Sequence, residues 1–107
     1  MKQYQVLFSP EAREEALIAA EYIRVYSPVS AARWYEGLER VIEALSSFPK
    51  RCPLAPEEVF LGQDLRHYVY RSHRIIFRIE EDSRTVRILH IHHARQRTIG
   101  EAKQESL

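Results

Sequence analysis

The residues of this 107-residue chain that are best suited to chemistry lie between Arg66 and Arg97. His92 and His93 are adjacent at the end of an apolar run, and imidazole is the side chain that exchanges a proton near neutral pH. Six arginines in the same region are candidates for binding an anion: Arg66, Arg71, Arg74, Arg78, Arg95 and Arg97. Because a guanidinium donates two parallel hydrogen bonds to a phosphate or carboxylate, the pattern predicts an anionic partner.

The net charge of +1 conceals a separation of charge along the chain. Residues 10–49 hold seven glutamates against four arginines, whereas residues 65–79 and 84–98 each hold four arginines and no acid. A basic surface for an anionic partner is one interpretation of these two segments. Arginines that are merely solvated on an exposed sheet face are the other.

Metal binding is the other chemistry that the histidines could support. His90 and His92 fall on one side of a strand, as in some zinc sites. Such a site needs a third ligand and supporting partners, and no Asp, Glu or Cys lies nearby in sequence, although Asp64 or His67 could approach in space. The sequence therefore predicts no metal and no cofactor. The single cysteine, Cys52, forms no intrachain disulfide and is expected to be unreactive.

Two helices are expected to position these residues from the N-terminal half. A short strand over residues 4–8 leads to Ser9-Pro10, and Ser27-Pro28 repeats the same cap and first-turn proline. The second helix is expected to end before Phe48-Pro49. Apolar side chains at helical spacing predict the core stripes of a helical hairpin: Ala12, Ala16, Ala19, Ala20, Ile23 and Tyr26, then Ala31, Trp34, Tyr35, Leu38, Val41, Ile42 and Leu45.

Three strands are expected to follow a proline-rich loop over residues 49–62. They cover residues 65–71, 73–80 and 85–92, with turns at Ser72 and at residues 81–84. Alternation in the second strand predicts one face on a core and one wet face that carries Arg74, Ile76 and Arg78. The third strand is apolar at both parities over residues 86–91, which is typical of a central strand. The predicted fold is α+β, with an antiparallel helical hairpin on a small antiparallel sheet.

Composition predicts one soluble domain that spans residues 1–107, with a polar tail at about 96–107. No apolar run approaches the roughly 20 residues of a membrane span. The first residues lack the apolar core of a secretion signal. We therefore expect a cytoplasmic protein that has no contact with the membrane.

The order of elements, together with particular residues, resembles the RelE/ParE superfamily. The resemblance rests on Arg66, on residues 73–79, on an acidic hairpin, and on residues 86–95 with the closing His93-Ala94-Arg95. Residues 8–12 also look like the point where a strand of that family gives way to a helix. His73 stands where members usually carry tyrosine. The closing tripeptide is more similar to the ParE side of the superfamily.

This resemblance implies a bacterial toxin of a type II toxin–antitoxin module, of the kind linked to plasmid stabilisation. Such a toxin arrests growth and is held inactive by a cognate antitoxin protein. The superfamily has two mechanisms. ParE-like members inhibit DNA gyrase, and RelE-like members cleave mRNA on the ribosome without a metal.

Metal-free RNA cleavage requires a base, an acid and cations that stabilise the phosphorane. The residues that would carry it here are His92, His93, Arg71, Arg74 and Arg95, with Arg97 as a substitute for Arg95. Against this, the tail contains no tyrosine and the loop has no lysine cluster, unlike many of the nucleases. Gyrase inhibition is therefore the preferred hypothesis and mRNA cleavage the alternative. A further alternative is an inactive relative that acts only as a binding module.

Overall fold

The computed structural model describes residues 3–56 and 64–94, so Arg95, Arg97 and the polar tail lie outside the described residues. The chain order is strand, two helices, a short 3-10 helix and three strands. Their bounds are β1 Gln5–Phe8, α1 Pro10–Tyr26, α2 Pro28–Ser47, the 3-10 helix Pro49–Arg51, β2 Leu65–Tyr70, β3 His73–Glu80 and β4 Thr85–His93. The predicted elements are thus confirmed to within a residue or so at each end.

Both helices begin by the same device. The Ser9 hydroxyl accepts a hydrogen bond from the Ala12 backbone N–H at 3.0 Å, and the Ser27 hydroxyl accepts one from the Ser30 N–H at 3.1 Å. Each cap satisfies one of the backbone donors that a helix N-terminus leaves without a partner. The proline that follows has no N–H to lose and a φ already suited to a helix. Only Ser27 separates the two helices, and they pack against each other as a helical hairpin.

The four strands of the described residues form one sheet in the order β1-β4-β3-β2. β4 lies between two neighbours, as its apolar composition predicted. The α+β class is confirmed, but the sheet is mixed, because β1 pairs with β4 in parallel. The expectation of a wholly antiparallel sheet was wrong for this pair. After β1, the helical hairpin and the loop lead the chain to β2 at the other edge of the sheet. The β2–β3 and β3–β4 hairpins then bring the chain back, so that β4 lies beside β1 and runs in the same direction.

The main core lies between the helices and one face of the sheet. The side chains that form its centre are Ala12, Ala16, Ala20, Trp34, Leu38, Val41, Leu45, Ile75, Phe77, Val86, Ile88 and Ile91. These include most of both predicted stripes, whereas Ala19, Ile23 and Ile42 are only partly buried against the core. Tyr26 and Tyr35 are exposed, contrary to their predicted place in the stripes. Tyr26 is the last residue of α1, and no element within residues 3–56 and 64–94 covers it.

The opposite face of the sheet is less open than its arginines suggested. Ile76 is fully buried there in a second apolar cluster with Ala55 and Leu65, and Leu89 packs against it. The chain before β2 supplies this cover, since the N–H of Ala55 donates to the carbonyl of Leu65 at 2.7 Å. The expectation that the whole face would be wet was therefore wrong. Its physical cause is a covering segment that strand alternation does not reveal.

None of the helices within residues 3–56 and 64–94 combines the length and the apolar character needed to cross a membrane.

Candidate functional site

A β-bulge in β4 determines the direction in which its histidines face. Phe77 pairs with Ile88 and Ile76 pairs with His90, so Leu89 is an extra residue in β4. An extra residue inverts the alternation of faces along a strand. Before the bulge the even-numbered side chains of β4 pack under the helices. After it, the odd-numbered ones do.

The bulge therefore separates the two histidines that were predicted to act together. His93 pairs with His73 on the helix side of the sheet, and their ring centroids lie 5.4 Å apart. His92 pairs with Arg74 on the other side. The two imidazoles follow one another in sequence, yet they belong to different surroundings. A single site that uses both as acid and base does not form in this arrangement.

Side chains from the start of α1 complete the edge of β4 where β1 has ended. The Ser9 hydroxyl donates to the carbonyl of Leu89 at 2.9 Å. Further along, the N–H of Ile91 donates to Glu15 Oε1 at 3.0 Å. A carboxylate thus occupies the position that the carbonyl of a neighbouring strand would otherwise fill. This backbone contact fixes Glu15 against the edge of the sheet.

The same carboxylate lies between two imidazoles. Glu15 Oε2 is 3.0 Å from His92 Nε2, and Glu15 Oε1 is 3.3 Å from His90 Nδ1. The two histidine rings have centroids 4.8 Å apart. We call these three residues the Glu15–His90–His92 triad. Sequence analysis missed Glu15 because it precedes His90 by 75 residues. No sequence signal singled out Glu15, because Glu14 stands beside it between the buried Ala12 and Ala16.

A cleft of about 660 Å³ opens between the helical hairpin and the end of the sheet at the β2–β3 turn. Side chains of α1 and Trp34 of α2 form its apolar wall. Its polar lining comes from Glu15, Ser30, Arg71, Ser72, His73 and His93. The cleft therefore combines an apolar wall with a few polar groups, as binding sites usually do.

The rings of Trp34 and two histidines lie in contact with one another in the lining of the cleft. The His73 ring lies 5.4 Å from the Trp34 ring, edge-on, and His93 follows behind it. Burial lowers the pKa of His73 from its ordinary value of 6.5, and the nearby His93 lowers it further. His73 is therefore neutral at pH 7. Its Nδ1 and the indole nitrogen of Trp34 are buried and make no hydrogen bond to any described residue.

Arg71 lies at the rim of this cleft, in the two-residue turn between β2 and β3. Its backbone has a φ of 53°, in the left-handed region, and its guanidinium carbon is 5.7 Å from the centre of the Tyr70 ring. The side chain is exposed, as expected for an arginine that binds a partner. Of the predicted basic residues within the described ranges, Arg71 fits that role best.

Arg74 is placed quite differently from the prediction. It is only 8% exposed, on the face of the sheet away from the helices. Its Nε donates to Nδ1 of His67 at 3.2 Å. A guanidinium held by a neighbouring strand in this way does not present its fork to a phosphate in solution. The structure therefore gives Arg74 a position inside the protein.

Arg66 fixes the loop that covers the second apolar cluster. Its Nη1 donates to the carbonyl of Cys52 at 2.7 Å and to that of Lys50 at 3.3 Å. Cys52 is buried, and burial raises the pKa of its thiol, although the charge of Arg66 acts in the opposite sense. The thiol is therefore protonated at neutral pH and, as expected, poorly suited to nucleophilic chemistry.

Arg78 belongs to a small ion-pair network on the face of the sheet away from the helices. Its Nε lies 2.9 Å from Glu80 Oε2, and Arg87 Nε lies 3.0 Å from the same oxygen. These contacts lower the pKa of Glu80 from 4.5 to about 2, with Arg87 contributing most and Arg78 next. Arg78 is thus already engaged by an acid of its own chain.

The Glu80 network leads to an expected pH dependence of stability. A carboxyl whose pKa is lower in the folded state stabilises the fold above its ordinary pKa, and this stabilisation is lost as the pH falls. The loss should extend from about pH 4.5 towards pH 2, the two pKa values of Glu80. In Glu80→Gln, the urea midpoint should consequently fall less over this range than in the wild type. Glu39→Gln, on the exposed face of α2, is the matched control and should follow the wild type. Parallel curves for Glu80→Gln and the wild type would contradict the assignment.

The predicted catalytic residues are thus divided. Arg71 and His93 lie together in the cleft, whereas Arg74 and His92 lie on the other side of the sheet. Arg95 lies outside the described residues, as does Arg97. The cleft instead contains His73 as a second imidazole.

One feature of α1 was not predicted at all. Beyond its buried alanines, the helix exposes a row of large apolar side chains that continues onto the start of α2. We call this row the α1 ridge; it consists of Leu17, Ile18, Tyr22, Val25, Tyr26 and Val29. Tyr22 and Ile18 also line the cleft, so the ridge and the cleft form one continuous surface. Exposed apolar patches of this kind mark interaction sites.

Comparison with solved structures supports the fold. The toxin–antitoxin system described as the chromosomal ParDE system from P. aeruginosa has a chain with a TM-score of 0.67 and 16% identity, over 85% of this chain and 96% of that one. The RelBE2 toxin–antitoxin complex from Mycobacterium tuberculosis has one with a TM-score of 0.58 and 25% identity, over 87% and 93%. No curated protein matches the sequence significantly.

The sequence itself matches a family over most of its length. Residues 6–98 match the family described as the ParE toxin of the type II toxin–antitoxin system parDE. The match begins in β1 and continues past the end of β4, so it includes both helices and all of the sheet except Gln5. The RelE/ParE resemblance inferred from residues is thereby confirmed, on its ParE side. The chain belongs to the family of ParE toxins of type II toxin–antitoxin systems.

Proposed function

We propose that this toxin arrests bacterial growth in the cytoplasm by inhibiting DNA gyrase, and that a cognate antitoxin holds it inactive. The observation that carries the choice of target is the division of the predicted catalytic residues. His92 is held by Glu15, and Arg74 is buried beside His67. Neither is placed to serve a reaction in the cleft. A protein that inhibits by contact does not need those groups in one place.

A second candidate function is favoured by one specific observation. The cleft brings Arg71, His73 and His93 together, and His73 is kept neutral by burial. A neutral imidazole can act as a base, and an arginine can stabilise the charge that develops on a phosphate. Ribosome-dependent mRNA cleavage therefore stays the alternative, now with His73 in place of His92.

The antitoxin surface that we propose consists of the α1 ridge and the adjoining cleft. An amphipathic segment can lay its apolar face along such a ridge. At the rim, Arg71 is exposed and can pair with a carboxylate of the antitoxin. Arg74 and Arg78 were also candidates for this pairing, but the first is buried and the second already binds Glu80. The complex should therefore depend mainly on apolar contacts, with a modest weakening as salt rises.

One comparison in vitro tests the target. The purified toxin should inhibit supercoiling by DNA gyrase and should leave mRNA on programmed ribosomes uncut. His93→Gln should change that inhibition only by a small factor, because the side chain would act through contact. In a nuclease, the same change should lower the cleavage rate roughly 10²–10⁴-fold if His93 transfers the proton. His67→Gln, outside the cleft, is the matched control.

The result that would overturn the proposal is codon-dependent cleavage by the wild-type protein that His93→Gln or His73→Gln abolishes. Growth arrest on expression distinguishes either toxin mechanism from an inactive binding module. A chain that leaves growth, supercoiling and mRNA unaffected, yet still binds its antitoxin, would identify the inactive relative.

A further inference from the structure

We propose that the Glu15–His90–His92 triad binds a divalent transition-metal ion, with Zn²⁺ as the ion it fits best. The three side chains come from α1 and β4, and the triad is independent of whether the toxin acts on gyrase or on mRNA. Each offers one ligand atom, and these atoms lie within 4.8 Å of one another. Within the described residues, this is the group of imidazoles and carboxylates that comes close enough to share an ion.

The distances agree with a site that needs only a small adjustment to close around an ion. Zinc bonds to imidazole nitrogen and carboxylate oxygen are about 2.0–2.2 Å, so tetrahedral ligands stand roughly 3.3–3.5 Å apart. Glu15 Oε2 and His92 Nε2 are 3.0 Å apart, and Glu15 Oε1 and His90 Nδ1 are 3.3 Å apart. The ligand atoms all lie within 4.8 Å of one another, so the widest pair must close by at most about 1.5 Å to reach tetrahedral spacing. Rotation of a partly exposed imidazole provides this movement.

The fold already orients two parts of the site. His90 and His92 share a face because they lie two residues apart on β4, and the bulge at Leu89 turns that face away from the helices. The carboxylate is held by the Ile91 N–H, which donates to Glu15 Oε1 at 3.0 Å. Partners that orient a ligand in this way are a regular feature of metal sites and contribute to their affinity. The arrangement therefore requires little ordering when an ion binds.

The chemistry of the ligands selects the class of ion. Two imidazoles and one carboxylate suit zinc and its neighbours among the transition metals, whereas magnesium and calcium prefer oxygen ligands throughout. The side chains of the triad are between 13% and 32% exposed. Solvent can therefore reach the ion and supply a fourth ligand, as in zinc sites with three protein ligands.

A metal at the triad would join the first helix to the last strand beside the cleft. Glu15 lines the cleft as well as the triad, so an ion that fixes its carboxylate also fixes one wall of the cleft. The ion would replace the hydrogen bonds between the carboxylate and the imidazoles. It would also be released in acid, because the histidines must be neutral to bind it.

The test uses the full chain without a histidine tag. Zn²⁺ is titrated against a chromophoric chelator, and Co²⁺ is titrated in parallel, because its visible absorption reports the ligand geometry. We expect one equivalent of Zn²⁺ to bind in the micromolar range or tighter, and the thermal midpoint to rise with Zn²⁺ concentration. Glu15→Gln and His92→Gln should each weaken binding about 100-fold, because even loss of an outer partner costs 10–100-fold at metal sites.

The control is His93→Gln, which removes the histidine adjacent in sequence but leaves the triad intact. It should bind Zn²⁺ as the wild type does. Circular dichroism of each variant distinguishes a lost ligand from a lost fold. Two results would overturn the proposal. One is no binding of Zn²⁺ or Co²⁺ up to about 0.1 mM, which is about 100-fold above the micromolar affinity expected, and the other is binding that Glu15→Gln and His92→Gln leave unchanged.

Discussion

Replacing Tyr22 with alanine is expected to weaken binding of the cognate antitoxin about 30-fold or more, the effect of losing an aromatic hot-spot residue. Tyr22 is 67% exposed at the point where the α1 ridge meets the cleft. Its ring packs against that of Tyr26 at 5.4 Å, which restricts its side-chain conformations before a partner arrives. An exposed aromatic with restricted conformations loses less entropy on binding than a long flexible side chain does. Isothermal titration with the cognate antitoxin measures the change.

The matched control for this substitution is Phe48→Ala. Phe48 is also an exposed aromatic, but it lies at the C-terminal end of α2, away from the ridge. Its removal should leave the affinity for the antitoxin within a few-fold of the wild type. Equal affinities for the wild type and Tyr22→Ala would mean that the antitoxin covers another surface, and the α1 ridge would then need a different partner.

Much of the fold could be predicted because its signals are local. Each helix begins with a serine followed by proline, and each observed cap is made by that serine. The strands could be found from apolar runs bounded by short turns. The two helices and three strands consequently have the expected bounds. Features that join distant parts of the sequence were missed. The parallel pairing of β1 with β4 joins segments 80 residues apart, as in the pair Gln5 and Thr85.

The burial of Arg74 and Ile76 was also missed because it depends on residues that are distant in sequence. Alternation correctly placed both on the side of β3 that faces away from the helices. It could not show that the segment before β2 returns to cover that side, since this depends on contacts such as Ala55 with Leu65. Arginine content alone therefore overstated the basic surface.

The candidate site was predicted only in part. Arg71 and His93 were identified from the sequence, and the structure brings them to one cleft. The separation of His92 from His93 depends on a single extra residue in β4, and a bulge leaves no clear mark in composition. Glu15 was missed because ligands that meet from a helix and a strand share no spacing. The exposed row on α1 was missed because apolar residues at helical spacing are usually core.

Replacing Leu38 with alanine is expected to lower the free energy of unfolding by about 2–5 kcal/mol, the usual cost of removing a buried leucine side chain. Leu38 is only 4% exposed and lies in the main core between α2 and the sheet. The neighbours of Leu38 are held by both helices and the sheet, so the cavity cannot collapse completely. Urea denaturation followed by the fluorescence of Trp34, the one tryptophan in the sequence, gives the value.

Leu17→Ala is the matched control, because it makes the same chemical change on the other helix at a position that is 54% exposed. A substitution at such a surface position usually changes stability by no more than about 0.5 kcal/mol. The two leucines therefore test the phase of both helices at once. A loss below about 0.5 kcal/mol for Leu38→Ala would remove that side chain from the core. A larger loss for Leu17→Ala than for Leu38→Ala would place the buried face of α1 on the ridge, and the antitoxin surface proposed above would then lie inside the protein.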